Sequence, residues 1–250
     1  MGVDLQKASM WKRISAWLFD TILLISIVVL IATGLSAALR YDHYSAQVEN
    51  VYEKYQTQYN IDFKSIEAPA DADPAEKEAY KDRYEKADAA LKADEEAVNA
   101  LGMTNSLMLL IPTLSLFGAM LLMEFLIPLL LKNGQTLGKK VFSIGVVRID
   151  AVKLSPLQLF VRAILSKYTV CLMLPLYITA VGIVGLAVAL GMLLLQLICP
   201  LVNHDRRGLH DLLSGTVVVD LPSQRVFNSA QDRTEYIKQV HAERAARQDY

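Results

Sequence analysis

One long apolar stretch decides the fold of this chain. Residues 14–39 read ISAWLFDTILLISIVVLIATGLSAAL and contain a single charged side chain, that of Asp20. At about 1.5 Å per residue, a helix of this length exceeds the roughly 30 Å hydrocarbon core of a bilayer. Lys7, Lys12 and Arg13 precede the stretch. We therefore predict a first transmembrane helix whose beginning lies on the cytoplasmic side.

A cleaved signal peptide is the competing interpretation of the same stretch. The small residues Ser36, Ala37 and Ala38 resemble a cleavage site. However, the apolar run is longer than the roughly 7–15 residues of a signal peptide, and it contains an acid. We therefore expect the helix to be retained.

The composition also indicates a membrane protein, with an acidic segment outside the membrane. Hydrophobic residues make up 53% of the chain, which is too much for an ordinary soluble domain of 250 residues. Residues 40–104 contain 15 acidic and 8 basic residues, whereas the rest of the chain contains 11 acidic and 17 basic ones. Because cytoplasmic loops are rich in Lys and Arg, this asymmetry places 40–104 outside and both termini inside. Basic residues are not interleaved with aromatic ones, so we expect no nucleic-acid partner.

The other apolar stretches predict an all-α membrane protein built as a bundle of about four transmembrane helices. Further spans are expected at about 106–131, 157–179 and 182–200. The basic loop 132–156 and the C-terminal segment should both lie inside, so 157–202 crosses the membrane twice or forms a re-entrant pair. The chain then divides into an N-terminus with the first helix (1–39), an extracytoplasmic acidic helical insert (40–104), a membrane core (105–221) and a cytoplasmic helical tail (222–250).

The acidic insert is predicted to be a helical hairpin. Pro69 and Pro74 break the segment, and helices are expected on either side of them at roughly 43–59 and 75–100.

A small β-hairpin is predicted on the cytoplasmic side. Residues 141–149 are rich in β-branched side chains, and a turn at Asp150-Ala151 leads into a short return through 152–154. Residues 216–221 are also strand-like and can join this hairpin in a small sheet.

Charged residues inside the predicted spans mark the candidate functional centre. Asp20 lies about seven residues into the first span, Glu124 eight residues before Lys132, and Arg162 six residues after Pro156. Counted from the cytoplasmic ends, all three lie at about the same depth. A charge at that depth is costly unless it faces the bundle interior and is paired. We therefore predict a polar layer in the cytoplasmic third of the membrane, to which Gln196 of the fourth span also belongs.

The polar layer has two interpretations, and the sequence leaves both open. In the first, Arg162–Asp20 and Arg13–Glu124 are internal ion pairs that fix the register of the helices. In the second, the layer is an ion or proton pathway, because acids inside a membrane can change protonation state and exchange protons.

The loop 133–140 reads NGQTLGKK and invites comparison with a phosphate-binding loop. Its G-x-x-x-G-K spacing is one residue short, and Lys140 stands where magnesium binding needs Ser or Thr. We instead expect Gly134 to end the second helix, Gly138 to permit close backbone packing, and Lys139 and Lys140 to contact lipid headgroups.

Small residues also recur in the fourth span. Gly182, Gly185 and Ala189 are predicted to give it a face for close helix packing. The same face allows a homodimer.

The sequence shows no pattern typical of a catalytic or metal site. His204, Asp205, His210 and Asp211 cluster after the fourth span, but their spacing fits no standard metal site and no Cys assists them. We expect Asp211 to cap backbone amides or to pair with a neighbouring arginine. Ser–His–Asp, Cys–His and HExxH arrangements are not recognisable either. We therefore expect neither an enzyme nor a bound cofactor.

Together these residues resemble the RDD family of bacterial membrane proteins, which is named for one Arg and two Asp. Arg13 stands at the start of the first span, Asp20 lies within it, and Asp211 follows the last span in the segment GLHDLLSGT at 208–216. Residues 134–140 and 145–147 are similar to the family's middle block, and Arg162 lies where its third-helix Arg is expected. The resemblance covers about 10–39 and 105–221. The turn at 150–151 lacks the glycine that we would expect there.

The resemblance implies a multi-pass protein of the bacterial inner membrane, embedded in the lipid bilayer. The family is mostly of unknown function; transport has been suggested, and some members are described as cation/proton antiporters. Our first hypothesis is a small transporter or cation/proton exchanger that uses Asp20 and Glu124. Our second is an accessory or regulatory membrane subunit whose acidic insert docks a membrane-protein partner.

Overall fold

Three helices of the computed structural model are long and apolar enough to cross a membrane. They are α1 (Met10–Ala38), a composite helix over Glu95–Leu131, and a later helix, α8 (Ile183–Val202). The structure describes residues 5–68, 72–131, 133–164, 181–203 and 207–248. The prediction of a mostly helical chain with helices long and apolar enough to cross a membrane is confirmed. The third predicted span, at about 157–179, lies mostly outside the described residues.

The remaining elements are short, apart from two insert helices and the tail helix. In chain order the described elements are α1, α2 (Tyr41–Tyr59), α3 (Pro74–Ala93), α4 (Glu95–Met120), a π-helical turn (Leu121–Leu126), α5 (Ile127–Leu131), α6 (Leu137–Val141), β1 (Ile144–Arg148), α7 (Pro156–Phe160), α8, α9 (Leu209–Ser214), β2 (Thr216–Asp220) and α10 (Ala230–Gln248). By their contacts they form two units, one holding Met1–Val29 and Ser115–Tyr250 and the other Leu30–Leu114. We call these unit 1 and unit 2.

Unit 2 contains the predicted insert helices, but α3 is shorter than expected and α4 begins earlier. Asp94 separates them because its extended backbone ends α3. Its Oδ1 then accepts hydrogen bonds from the backbone N–H groups of Glu96 and Ala97, at 3.1 and 3.2 Å. A short acid that caps a helix in this way is a strong start signal. The membrane-length helix therefore begins at Glu95 instead of near residue 106.

Unit 2 also has its own apolar clusters. One is built on Tyr55, Leu91 and Ala97, and another on Ile61, Tyr80 and Ala87. Buried aromatic and aliphatic side chains from α2, α3 and α4 thus hold this segment together, so it is a folded module and not a loose connector.

In unit 1, β1 pairs with β2 in an antiparallel sheet, with Ile144 opposite Asp220 and Arg148 opposite Thr216. The predicted hairpin with 152–154 is wrong, although residues 216–221 join the sheet as expected. The carbonyl of Val152 accepts the N–H of Arg148 at 2.9 Å across the turn, but the return stretch forms no strand with β1, and Val152 makes an isolated parallel bridge with Phe227. The return stretch is too short to bury a strand, whereas β2 offers a run of buried β-branched residues.

The conformation of the turn before that return stretch shows why a glycine is expected there. Ala151 has a φ of 62°, and its N–H donates to the carbonyl of Arg148 at 2.9 Å. Glycine adopts this left-handed conformation at little cost, whereas alanine is strained in it.

Close contact between α1 and α6 requires glycine at position 138. A Cβ added to Gly138 would lie 2.9 Å from Oδ1 of Asp20 and closer still to the backbone oxygen of Ala16. Thr136 caps α6 by accepting the N–H of Lys139. The loop before α6 therefore rests directly on the backbone of α1.

The predicted small-residue face of α8 is described only in part. Gly185 is buried, whereas Gly182 precedes the helix with a φ of 61° and has no atom near the place of a Cβ. The side chain of Ala189 lies outside the described residues. Helix packing through this face stays a prediction.

We expect Gly138→Ala to destabilise the protein by roughly 3 kcal/mol, because a backbone carbonyl that blocks a Cβ cannot move aside as a flexible side chain can. Thermal unfolding of the detergent-solubilised protein would measure the loss as a lower Tm. Gly191→Ala in α8 is the matched control, since among the described residues no atom outside the helix's own nearby backbone lies within 4 Å of the added Cβ. Equal Tm values for the two variants would contradict the close approach.

Candidate functional site

Asp20 is buried where α1 meets the loop before α6. The hydroxyl of Thr136 donates to its Oδ2, and the backbone N–H of Gly138 donates to its Oδ1 at 2.7 Å. Each carboxylate oxygen therefore has a close donor, as a buried charge requires. Asp20 thus ties the first membrane-length helix to a loop more than a hundred residues away in sequence.

Lys139 brings a second acid to the same place. Its Nζ lies 4.0 Å from Oδ2 of Asp20 and 3.8 Å from Oε2 of Glu124, and it donates to the hydroxyl of Thr136 at 3.1 Å. The three charged side chains are only 10–12% exposed. We call Asp20, Glu124, Thr136 and Lys139 the Asp20 cluster. Two acids from two membrane-length helices here share one lysine.

The geometry of this cluster differs from two expectations for the loop. Lys139 was predicted to contact lipid headgroups, and this is wrong because its ammonium is buried between the two acids. The loop also has no room for a phosphate at Gly138, since the carboxylate of Asp20 takes the backbone N–H that an anion would use. Gly134 follows the second membrane-length helix with a φ of 59°, a conformation typical of glycine after a helix end.

Asp211 lies in a second polar cluster. Its Oδ1 accepts hydrogen bonds from Nε of Arg162 at 3.0 Å and from the hydroxyl of Thr216 at 2.9 Å. Its Oδ2 lies 3.5 Å from Nε2 of His210. The predicted Arg162–Asp20 pair is therefore wrong, since Arg162 pairs with Asp211. Equal depth along two helices does not fix the direction in which their side chains point.

Further polar residues extend this second cluster. The hydroxyls of Ser214 and Thr216 lie 2.9 Å apart, and Nε2 of Gln196 lies 2.6 Å from Nδ1 of His210. We call Arg162, Gln196, His210, Asp211, Ser214 and Thr216 the Asp211 cluster. Gln196 therefore contributes to this cluster and not to the surroundings of Asp20.

Arg13 connects α1 to the sheet. Its Nη2 donates to the backbone carbonyl of Val218 in β2 at 2.7 Å. Glu124 lies beside Lys139, and the predicted Arg13–Glu124 pair stays a prediction. Lys12 reinforces the same connection through Asp220, at 2.5 Å.

The charge of Arg13 also acts on Asp211. Burial by itself would raise the pKa of Asp211, but the charges of Arg162 and His210, the hydrogen bond from Thr216 and the charge of Arg13 outweigh it. Together they lower the pKa to about 2. Asp211 is thus held as a carboxylate, and Arg162 pairs with it. Arg206 lies outside the described residues.

The presence of a metal site can be judged only for the part of the chain that the structure describes. Among the described residues, no group of three or more His, Cys, Asp or Glu side chains is arranged to hold a metal ion. His204 and Asp205 lie outside them.

Sequence reasoning missed Thr136 and Thr216 as site residues. Each hydroxyl donates to a signature aspartate. The signal for Thr136 was present, since a Thr before a short helical stretch is a typical N-cap. For Thr216 the only clue was its place after the αL glycine, Gly215, that ends α9.

We expect Asp211→Asn to lower the Tm at pH 7 by several degrees, because it leaves Arg162 buried without a counter-charge, at a cost of about 3 kcal/mol. The difference from wild type should shrink on acidification. A carboxyl whose pKa is lowered in the folded state contributes stability above its ordinary pKa near 3.8, and that stability is lost as the pH falls towards 2.

The measurement is thermal unfolding in detergent between pH 7 and pH 2.5 for wild type and variant. Asp82→Asn serves as the control, because Asp82 is exposed and pairs only with Lys86 one helical turn on. A wild-type-to-variant difference that stays constant over this pH range would contradict the assignment.

One protein family matches most of this chain. The description of the matching family is RDD family, and the match covers residues 7–215. It includes Arg13, Asp20 and Asp211, together with the acidic insert. No curated protein and no solved structure matches the chain. Because the family match spans most of the sequence, this chain belongs to the RDD family.

Proposed function

We propose that this RDD-family membrane protein exchanges cations for protons, with the Asp20 cluster as the exchange site. One observation carries the proposal: carboxylates from two membrane-length helices, Asp20 on α1 and Glu124 on the composite helix, flank a single buried ammonium. Acids at such positions are costly, and they commonly belong to ion or proton pathways.

The surroundings of Lys139 suit a cation. Three oxygens, from Asp20, Glu124 and Thr136, lie 3.1–4.0 Å from its Nζ. Carboxylate and hydroxyl oxygens are the ligands that hard cations prefer. The ammonium of Lys139 thus stands where an inorganic cation would find its ligands, and it competes with that cation for the two acids.

This competition supplies the coupling to protons. With both acids ionised and Lys139 protonated, the cluster carries one net negative charge. When Lys139 releases its proton, a monovalent cation can enter and the net charge stays the same. One cation therefore replaces one proton, and the net charge of the buried site does not change.

The backbone around Glu124 supports movement at this site. Glu124 lies in the π-helical turn Leu121–Leu126, between α4 and α5. Such turns interrupt the regular hydrogen bonding of a helix and are frequent at functional sites.

The site also has a structural role, which the test must separate from exchange. Asp20 holds α6 against α1 through Thr136 and Gly138, so a change at Asp20 disturbs both roles. The carboxylates lie 3.8 and 4.0 Å from Nζ of Lys139, beyond hydrogen-bond distance. Lys139 can therefore be replaced with less damage to the fold.

We expect Lys139→Gln to abolish cation-driven proton flux in proteoliposomes. Its Tm should fall, because two buried acids lose the ammonium that they share, so the flux is measured on the folded fraction. The amide cannot release a proton when a cation enters, so the coupling is lost. A pH-sensitive dye inside the vesicles would report the flux after a pulse of sodium or potassium. Lys140→Gln is the matched control, because the neighbouring lysine is exposed.

Wild-type flux from a folded Lys139→Gln variant would contradict the exchange site. Wild-type protein that moves no protons in response to either cation would contradict the exchange function itself.

Unit 2 favours a second function, that of an accessory membrane subunit. Its acidic segment has two apolar clusters of its own, built around Tyr55 and Tyr80, which a mere connector between two helices does not need. We infer under this alternative that the insert docks the extracytoplasmic part of a membrane-protein partner.

Replacing residues 45–93 with a short Gly/Ser linker should remove such a partner and leave the protein in the membrane. Tyr44 and Glu95 line the same cavity of about 650 Å³, so a short linker can join the two ends. Chemical cross-linking in native membranes, followed by mass spectrometry, would measure the change. A truncation after Val240 serves as the control. An unchanged set of cross-linked proteins would count against the docking role.

A further inference from the structure

A groove in unit 2 lies between the end of α1 and the middle of α4. Its volume is about 460 Å³. Four residues of α1 between Ala32 and Ala37 form one wall, and four residues of α4 between Leu107 and Pro112 form the other. The residues on the α1 wall are all small, which opens the space between the two helices.

The walls of this groove suit a hydrocarbon chain. Leu107 and Ile111 form a buried apolar surface within it, only 5% and 7% exposed. Both α1 and the composite helix are long and apolar enough to cross a membrane. A groove between two such helices opens to the acyl region of the bilayer, where a lipid tail fills it at no cost in solvation.

One end of the groove is polar and charged. Tyr41 and Asp42, the first residues of α2, line it together with Ser36. Arg40 directly precedes them, with an exposed side chain and a φ of 56°. In the described part of the chain, no hydrogen bond or ion pair engages the carboxylate of Asp42 or the guanidinium of Arg40.

We propose that this groove binds a zwitterionic aminophospholipid. One acyl chain lies between α1 and α4. The headgroup ammonium donates to Asp42 and to the hydroxyl of Tyr41, and the phosphate lies beside Arg40.

The charges at the polar end select this headgroup chemistry. An anionic headgroup such as glycerol phosphate satisfies Arg40 but places a like charge next to Asp42. A choline headgroup has the right charges but no N–H to donate. An ethanolamine ammonium carries three donors and a positive charge, and its own phosphate supplies the partner for Arg40. The site does not depend on exchange at Lys139 or on docking through the insert.

Native mass spectrometry of the full-length, detergent-solubilised protein would test this proposal. The probes are three phospholipids with identical acyl chains and ethanolamine, choline or glycerol headgroups. We expect wild-type protein to retain the ethanolamine lipid about fivefold better than either of the others, as one charge-assisted contact allows. Asp42→Asn should remove this preference. Glu49→Gln is the matched control, because Glu49 is exposed on the same face of α2 two turns further along.

A second variant tests the apolar part of the groove. Ala37→Trp fills the space between the helices, so the retention of all three lipids should fall. Size-exclusion chromatography selects the folded, monodisperse fraction of each variant before the measurement. If wild-type protein retained the three lipids equally, the bound lipid would be nonspecific membrane lipid only, and the proposal would be overturned. A preference for the glycerol lipid, or an ethanolamine preference that persists in Asp42→Asn, would also overturn it.

Discussion

The structure of unit 1 depends on the need to neutralise one carboxylate inside an apolar helix. Asp20 lies within α1 and is 8% exposed, and a charge in such a place is stable only if donors reach it. Its donors are the hydroxyl of Thr136 and the backbone N–H of Gly138. To deliver them, the loop must rest on α1 so closely that only glycine fits at position 138. One buried charge therefore determines where the loop lies and which residue it carries.

The contacts of the three signature residues meet at the small sheet. The loop held by Asp20 leads through α6 into β1, which pairs with β2. Arg13 donates to the backbone of β2, and Asp211 accepts from Thr216 at the beginning of the same strand. Asp211 thus lies far from Arg13 and Asp20 in sequence, but all three belong to one connected scaffold. Together, Arg13, Asp20 and Asp211 thus fix α1, the loop and the segment after α8 to a two-stranded sheet.

The sequence predicted the helices and strands better than it predicted which residues and strands pair with one another. Long apolar stretches and charge asymmetry identify the membrane-length helices because these features are local. The partner of Arg162 could not be found in this way, since depth along a helix says nothing about direction around it. The return through 152–154 was wrongly predicted as a strand for a similar reason, because it lies nearby in sequence. Residues 216–221 join the sheet as predicted, and their buried β-branched side chains favour this pairing. Lys139 and Lys140 look alike in sequence, but the ammonium of the first turns inward and donates to Thr136, whereas the second is exposed.

The two interpretations of the polar residues apply to different members of the same cluster. Both oxygens of Asp20 are engaged by close donors, so this acid is best suited to a fixed structural role. Lys139 lies at longer distances from both carboxylates, and Glu124 stands on a π-helical turn where the helix is irregular. In the proposed exchange, the side chains of Lys139 and Glu124 therefore move, while Asp20 supplies a fixed negative charge. Asp20 can then fix the register of the helices and also serve the ion site, because its fixed negative charge is already in place when a cation binds beside it.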